Sequence, residues 1–145
     1  MAFRFPLATV LRFRDSVEKR EELALRKALF EIARVRSQIE QLTGEIIAAQ
    51  DARNKALVQT LTAYQMQAML QGIDAAIARR KALIESLPAL ERQCEVCMHA
   101  YQAAHRDRQM LSNMRARQRD EYDQERARLE QKFIDDIFAA RAQRS

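Results

Sequence analysis

The chain has 145 residues but only two glycines and two prolines, whereas an average chain of this length carries about ten glycines alone. Turns are therefore scarce, and the abundant Ala, Leu, Gln, Glu and Arg residues favour long helices. The net charge of +5 comes from 25 basic and 20 acidic residues mixed along the chain, which is typical of solvated helix surfaces. Because no run of about 18 apolar residues is present, we expect no membrane span. Arg4, Arg12 and Arg14 interrupt the apolar residues of the N-terminus and no small-residue cleavage site follows, so we expect no secretory signal and a cytoplasmic location.

In the first third of the chain, apolar residues recur at alternating steps of three and four. The row consists of Leu25, Ala28, Ile32, Val35, Ile39, Leu42, Ile46 and Ala49. A seven-residue period of this kind predicts a helix that supercoils against another helix. Three acid-before-base pairs four residues apart support the same helix: Asp15–Lys19, Glu22–Arg26 and Asp51–Lys55. We place this helix at about 6–57, with Pro6 in its first turn, where proline is tolerated.

The stretch LVQTLTAYQ interrupts this pattern, and Thr62 with Gln65 fits a capping box, in which each side chain bonds the other residue's backbone N–H. We expect a turn at about 58–62, which includes Thr60, and a second helix at about 63–142. The expected apolar row of that helix is Met66, Leu70, Ile73, Ile77, Arg80, Ile84, Leu87, Leu90, Cys94, Cys97, Tyr101, Ala104, Arg108 and Leu111. Two successive steps of three surround Pro88, which indicates a stammer and a kink there rather than a chain reversal.

These elements predict an all-α fold in which residues 1–145 form a single antiparallel coiled-coil hairpin. The second helix is the longer one and projects beyond the first. If the chain folds back near residue 60, Val10 lies near residue 110, the paired region ends near residue 113, and about thirty residues project. The projection carries an apolar stripe with no partner in the chain, formed by Phe133, Ile134, Ile137 and Phe138.

No constellation of residues in the sequence is typical of an enzyme or a metal site. Cys94 and Cys97 both occupy positions of the apolar row, where cysteine acts as a small apolar residue. His105 lies about 12 Å further along the helix than Cys97, too far to share a zinc ion with it. We therefore expect no catalytic activity, no metal and no cofactor. The basic stretch between Arg106 and Arg128 is offset by acidic residues and indicates a solvated face, with salt-dependent nucleic-acid binding as an alternative.

The two ends of the chain resemble those of the flagellar export protein FliJ family. The opening FRFPLATVLRFRDSVEKREE has the family's aromatic, leucine-rich segment followed by a charged helix. The closing EQKFIDDIFAARAQRS has its acidic pair set in an apolar and basic helix, and YQMQAMLQGIDAAI matches the segment after the turn. Pro88, Cys94 and Cys97 are not part of the family's pattern.

This resemblance implies a non-enzymatic stalk, similar to that of rotary ATPases, which inserts into the hexameric ring of the flagellar export ATPase. It also implies binding to the export-gate membrane protein and to export chaperones, at the inner face of the cell membrane. By position, it implies that the gate binds Met69, Ile73, Ala76 and Arg80. Two other hypotheses remain, namely a general homo-oligomeric coiled-coil adaptor and the stalk of a related virulence secretion ATPase.

Both termini carry apolar residues that would suit the central channel of such a ring. We expect the ATPase to bind Phe3, Phe5, Leu7, Val10, Leu11, Phe13, Phe133, Ile134, Ile137 and Phe138. The alternative for the N-terminal members is that they only close the end of the coiled coil, since the ends of helices fray unless they are tied down.

Overall fold

The computed structural model describes residues 2–59 and 61–144, and its fold is an all-α hairpin of two helices. Helix α1 comprises Ala8–Ala56, with 49 residues, and helix α2 comprises Ala63–Arg144, with 82 residues. The predicted all-α hairpin with a longer second helix is confirmed, and the described residues include no β-strand. Thr60, in the expected turn, lies outside the described residues.

The described residues fall into two compact units, each of which contains a part of both helices. The terminal unit comprises residues 2–21 and 101–144, and the turn unit comprises Glu22–Ala100. In the turn unit, Arg36 bonds Glu91 across the helices at 3.4 Å, whereas Thr43, further along α1, bonds Arg80 at 2.8 Å. Within this unit, residues with increasing numbers in α1 therefore contact residues with decreasing numbers in α2, as an antiparallel arrangement requires.

Helix α2 begins with the capping box that the sequence predicts. The Thr62 N–H donates to Gln65 Oε1 and the Gln65 N–H donates to Thr62 Oγ1, both at 3.2 Å. These bonds satisfy two N–H groups that have no partner within the helix. At the end of α1, the Leu57 N–H donates to the Arg53 carbonyl at 3.0 Å, and no described residue has a positive φ. The chain thus leaves α1 without a glycine.

The apolar row of α1 packs against α2 as the sequence predicts. Its buried members are Leu25, Ile32, Val35, Leu42 and Ile46, and its half-buried members are Ala28, Ile39 and Ala49. A buried aliphatic side chain of this size contributes about 1.5–3 kcal/mol. On the outer face of α1, the predicted pairs Asp15–Lys19 and Glu22–Arg26 form at 3.0 and 2.7 Å. The Asp51–Lys55 pair does not form, so that part of the prediction is wrong.

In the stretch of α2 before Pro88, alternate members of the covered row lie one residue before the predicted ones. Its positions there are Met69, Ile73, Ala76, Arg80, Leu83 and Leu87, whereas the predicted members Leu70, Ile77 and Ile84 are 41%, 43% and 40% exposed. The observed row continues at alternating steps of three and four through Leu90, Cys94, Cys97, Tyr101, Ala104, Arg108 and Leu111. The predicted stammer is therefore wrong. A stammer overwinds a helix locally, and the unbroken seven-residue period avoids that distortion.

Pro88 lies inside α2, which continues through it without a chain reversal. Proline has no N–H to donate to the carbonyl of Ile84, so the helix loses one hydrogen bond there. Close by, the Ser86 hydroxyl donates to the Leu83 carbonyl at 2.6 Å. The absence of a reversal agrees with the prediction, and the kink itself stays a prediction.

The segment before α1 extends the paired part of the terminal unit. The ring of Phe3 lies 5.6 Å from the ring of Tyr122, well beyond the expected end of pairing near residue 113. Residues outside a helix advance up to about 3.3 Å each, against 1.5 Å in a helix, so a short non-helical segment covers more of α2. Every residue of Asp123–Arg144 is exposed, which makes these 22 residues an overhang shorter than expected.

Candidate functional site

The most exposed apolar surface of the terminal unit lies on the overhang. We call it the C-terminal stripe, formed by Leu129, Phe133, Ile134, Ile137 and Phe138, whose exposed fractions are 58%, 66%, 45%, 38% and 65%. A cleft of about 520 Å³ opens between Arg126, Leu129, Glu130, Phe133 and Ile134. A contiguous apolar surface of this kind marks a protein interaction site more often than a solvated face.

The six apolar residues expected to bind a partner near the N-terminus are divided between the inside and the outside of the terminal unit. Phe5 is 7% exposed, and Phe3 and Leu11 are half-buried. The outward residues are Leu7, Val10 and Phe13, at 37%, 42% and 62% exposure. Burial of Phe5 means that its side chain packs inside the unit, which favours the alternative role of closing the end of the coiled coil.

An aromatic contact holds the N-terminal segment onto α2. The planes of the Phe3 and Tyr122 rings are tilted by 50°, an arrangement that aromatic pairs favour over a face-to-face sandwich. The guanidinium of Arg119 lies 5.4 Å from the centroid of the Phe3 ring, within cation–π distance. Phe3 is thus a packing residue of the terminal unit and not a free anchor.

A charged cluster joins α1 to α2 a few turns further into the terminal unit. Glu18, whose side chain is only 13% exposed, accepts hydrogen bonds from His105 Nδ1 at 3.0 Å and from Arg108 Nε. Partial burial raises the pKa of Glu18, but the hydrogen bonds from His105 and Arg108 and their positive charge outweigh burial and lower it from its ordinary value of 4.5. Arg14 and Asp107 add a second cross-helix pair at 3.4 Å.

The sequence analysis does not predict this cluster, although one residue of the sequence indicates it. Arg108 occupies a position of the apolar row, where an arginine requires an acidic partner from the facing helix. The acidic partner of Arg108 could not be identified from the sequence, because several acidic residues of the first helix lie near the level of Arg108. The cluster's bonds between the two helices fix the position of α1 on α2 within the terminal unit.

The four residues expected to bind the export gate lie on the side of α2 that faces α1. Ile73 is 5% exposed, and Met69 and Ala76 are half-buried. Arg80 Nε donates to the Thr43 hydroxyl, as given above, and that hydroxyl donates to the Ile39 carbonyl at 2.8 Å. A partner would reach Ile73 only by displacing α1. The accessible apolar residues beside this row are Leu70, Ile77 and Ile84.

Cys94 and Cys97 are free and half-buried on the covered row of α2. The amide nitrogen Nε2 of Gln93 lies 3.8 Å from Cys97 Sγ, which is a weak contact for a thiol. Within residues 2–59 and 61–144, no group of three or more His, Cys, Asp or Glu side chains is arranged to hold a metal ion. Neither helix, over the same residues, has a stretch long and apolar enough to cross a membrane.

Comparison with known proteins identifies the family. The family model described as flagellar FliJ protein matches residues 3–145, which include both helices, the C-terminal stripe and the N-terminal segment. No curated protein and no solved structure matches the chain. The match confirms the resemblance that the two termini carry. The chain therefore belongs to the FliJ family of flagellar proteins and is a component of the flagellar export apparatus.

Proposed function

We propose that the chain is a non-enzymatic stalk of the flagellar export ATPase, which binds the ATPase ring through the end of its terminal unit. The observation that carries this proposal is the C-terminal stripe, in which Phe133 and Phe138 are 66% and 65% exposed. Large aromatic side chains commonly contribute most of the binding energy of an interface. Membership of a flagellar export family supports this choice of partner, and the stripe offers a surface suited to it.

The N-terminal residues divide into two roles in this proposal. Leu7, Val10 and Phe13 are outward and extend the apolar surface offered to the ring. Phe3, Phe5 and Leu11 lie inside the unit and hold the N-terminal segment against α2. The expected set of ATPase-binding residues is thereby reduced to the outward members and the C-terminal stripe.

The export gate is the second proposed partner, at the turn unit. Met69, Ile73, Ala76 and Arg80 face α1, so we assign the contact to the adjacent accessible residues Leu70, Ile77 and Ile84. Replacing Leu70 and Ile77 by serine should weaken binding to the purified cytoplasmic part of the gate protein while leaving helicity unchanged. Unchanged affinity would remove this row from the gate-binding surface.

Binding to export chaperones, and a position in the cytoplasm at the inner face of the membrane, follow from the same family role and are part of the proposal. The stalk of a virulence secretion ATPase would present an equivalent tip, whereas a homo-oligomeric adaptor would use the C-terminal stripe for self-association only. Binding to the purified flagellar export ATPase therefore separates the proposed function from the adaptor.

A chain that ends at Arg128 tests the proposal. Tyr122, which contacts Phe3, is retained, so the truncated chain should stay helical, while Leu129 and the rest of the C-terminal stripe are lost. We expect it to lose both binding and stimulation of the ATPase. The control is the full-length Phe30→Ala variant, because Phe30 is 70% exposed but lies in the turn unit. A helical truncated chain that still binds and stimulates the ATPase would overturn the proposal.

A further inference from the structure

A groove of about 720 Å³ lies in the terminal unit between the N-terminal segment and α2. Its lining residues include four arginines, Arg4, Arg12, Arg115 and Arg119, and no carboxylate. Phe3 and Phe5 contribute aromatic surface to the same groove. The groove therefore combines a positive rim with an apolar floor.

Three arginines of this groove, Arg4, Arg12 and Arg115, have no acidic partner among the described residues. Elsewhere, Arg14 bonds Asp107, Arg108 bonds Glu18, and Arg128 bonds Glu125 at 3.0 Å. In the groove, Arg119 bonds Asp123 at 3.6 Å, and both side chains of that pair are more than half exposed. Like charges that converge without counter-charges are unfavourable, and an acidic ligand would remove that repulsion.

The overhang of the same chain has the complementary chemistry. Two carboxylates, Asp135 and Asp136, lie within the C-terminal stripe in the sequence FIDDIF. At about 100° per residue, the apolar side chains span one half of the helix circumference with Glu130 among them, and the two aspartates lie beyond its opposite edges. Residues 129–140 carry a net charge of −2, from Glu130, Asp135 and Asp136 against Lys132. An apolar helix face with acidic edges matches an apolar groove with a basic rim.

The overhang is long enough for the C-terminal stripe of each of two copies to reach the groove of the other. Asp135 lies 16 residues beyond Arg119, which is about 24 Å along a helix. If two overhangs run antiparallel and cross near residue 127, Asp135 of each copy lies level with Arg119 of the other. Such a contact uses the same residues on both copies, as a two-fold symmetric interface requires.

We infer that the free chain forms an antiparallel homodimer in which the C-terminal stripe of each copy occupies the arginine groove of the other. The contact buries Phe133 and Phe138 and neutralises Arg115 and Arg119. A regulatory consequence rests on the proposed function. The dimer covers the C-terminal stripe until the ATPase competes for it. Formation of the dimer itself does not depend on the ATPase.

A charge-swap experiment with the full-length chain tests the inference. One variant carries Arg115→Glu and Arg119→Glu, and the other carries Asp135→Arg and Asp136→Arg. Each variant alone should be monomeric, because both symmetric contacts bring like charges together, and the dimer dissociation constant should rise about 100-fold. In an equimolar mixture both contacts join opposite charges again, so a heterodimer should form.

Sedimentation equilibrium at low ionic strength gives the mass of each species. The control variant, Arg26→Glu with Lys27→Glu, changes the net charge by the same amount within the turn unit and should remain dimeric. Circular dichroism of every variant should show unchanged helicity, since all of the altered residues are exposed. Higher salt should weaken the wild-type dimer, because it screens the exposed charge pairs.

A monomeric wild-type chain would overturn the inference irrespective of how the variants fold. A wild-type dimer that persists in both single variants, or a mixture that fails to restore the dimer, would also overturn it. None of these results depends on ATPase binding, so failure of the dimer and failure of the proposed function are separate outcomes.

Discussion

Both glycines of the chain lie inside helices that do not require them. No described glycine has a positive φ, and a Cβ built on Gly44 or Gly72 meets no atom within 4 Å. Glycine in a helix interior costs roughly 0.5–1 kcal/mol relative to alanine. We therefore expect Gly44→Ala and Gly72→Ala each to raise the free energy of unfolding by about that amount in denaturant titrations. A decrease at either position would contradict the open space around these glycines.

Glu18 should make the stability of the terminal unit depend on pH in the acid range. Its pKa is lowered in the folded chain, so its contribution is present above its ordinary pKa of 4.5 and is lost as pH falls through the lower folded value. The wild type should lose more stability on acidification below about pH 4.5 than Glu18→Gln, which cannot titrate. Denaturant titrations of both proteins across this range provide the measurement. Parallel pH profiles would contradict the assigned role of the cluster.

At the scale of the element, the displaced row of α2 gives a matched pair of substitutions. Ile73 is 5% exposed and Ile77 is 43% exposed, although both belong to the row that the sequence predicts. Ile73→Ala should lower the free energy of unfolding by about 2–4 kcal/mol, because it removes buried methyl groups and leaves a cavity. Ile77→Ala should cost about 1 kcal/mol or less, since its side chain retains much of its contact with water.

Equal losses of stability at the two positions would contradict the covered row described for α2. The comparison needs no partner protein, and both substitutions have the same effect on side-chain volume. It also bears on gate binding, because a residue that holds the hairpin together and a residue that contacts a partner give different results in stability and affinity measurements.

The sequence predicts α1 better than α2 for a physical reason. In α1 a single row of apolar residues has the seven-residue period, so Ile32, Val35 and Leu42 leave no choice of face. In α2, two adjacent rows are apolar before Pro88, and the larger residues Leu70, Ile77 and Ile84 favour the wrong one. The row that is covered in the structure contains Ala76 and Arg80. It is favoured because it continues in the same period into the row beyond Pro88, and this continuity cannot be recognised from side-chain size.

The candidate surfaces were predictable to different extents at the scale of the whole molecule. The C-terminal stripe was identifiable because its apolar residues lie beyond any segment able to cover them. The N-terminal set was not separable into inner and outer members, because Phe3, Phe5 and Leu7 precede α1 and follow no helical period. Burial of Phe5 and the ring contact of Phe3 with Tyr122 required the structure.

The central claim is that the C-terminal stripe binds the flagellar export ATPase, and an affinity titration with purified ATPase tests it most directly. The test variant is Phe133→Ser with Phe138→Ser, and the control is Phe30→Ser, because Phe30 is equally exposed in the turn unit. Phenylalanines that anchor an interface contribute at least about 2 kcal/mol each, so the double variant should weaken binding about 700-fold or more while the control binds normally. Wild-type affinity in a helical Phe133→Ser/Phe138→Ser chain would contradict the account.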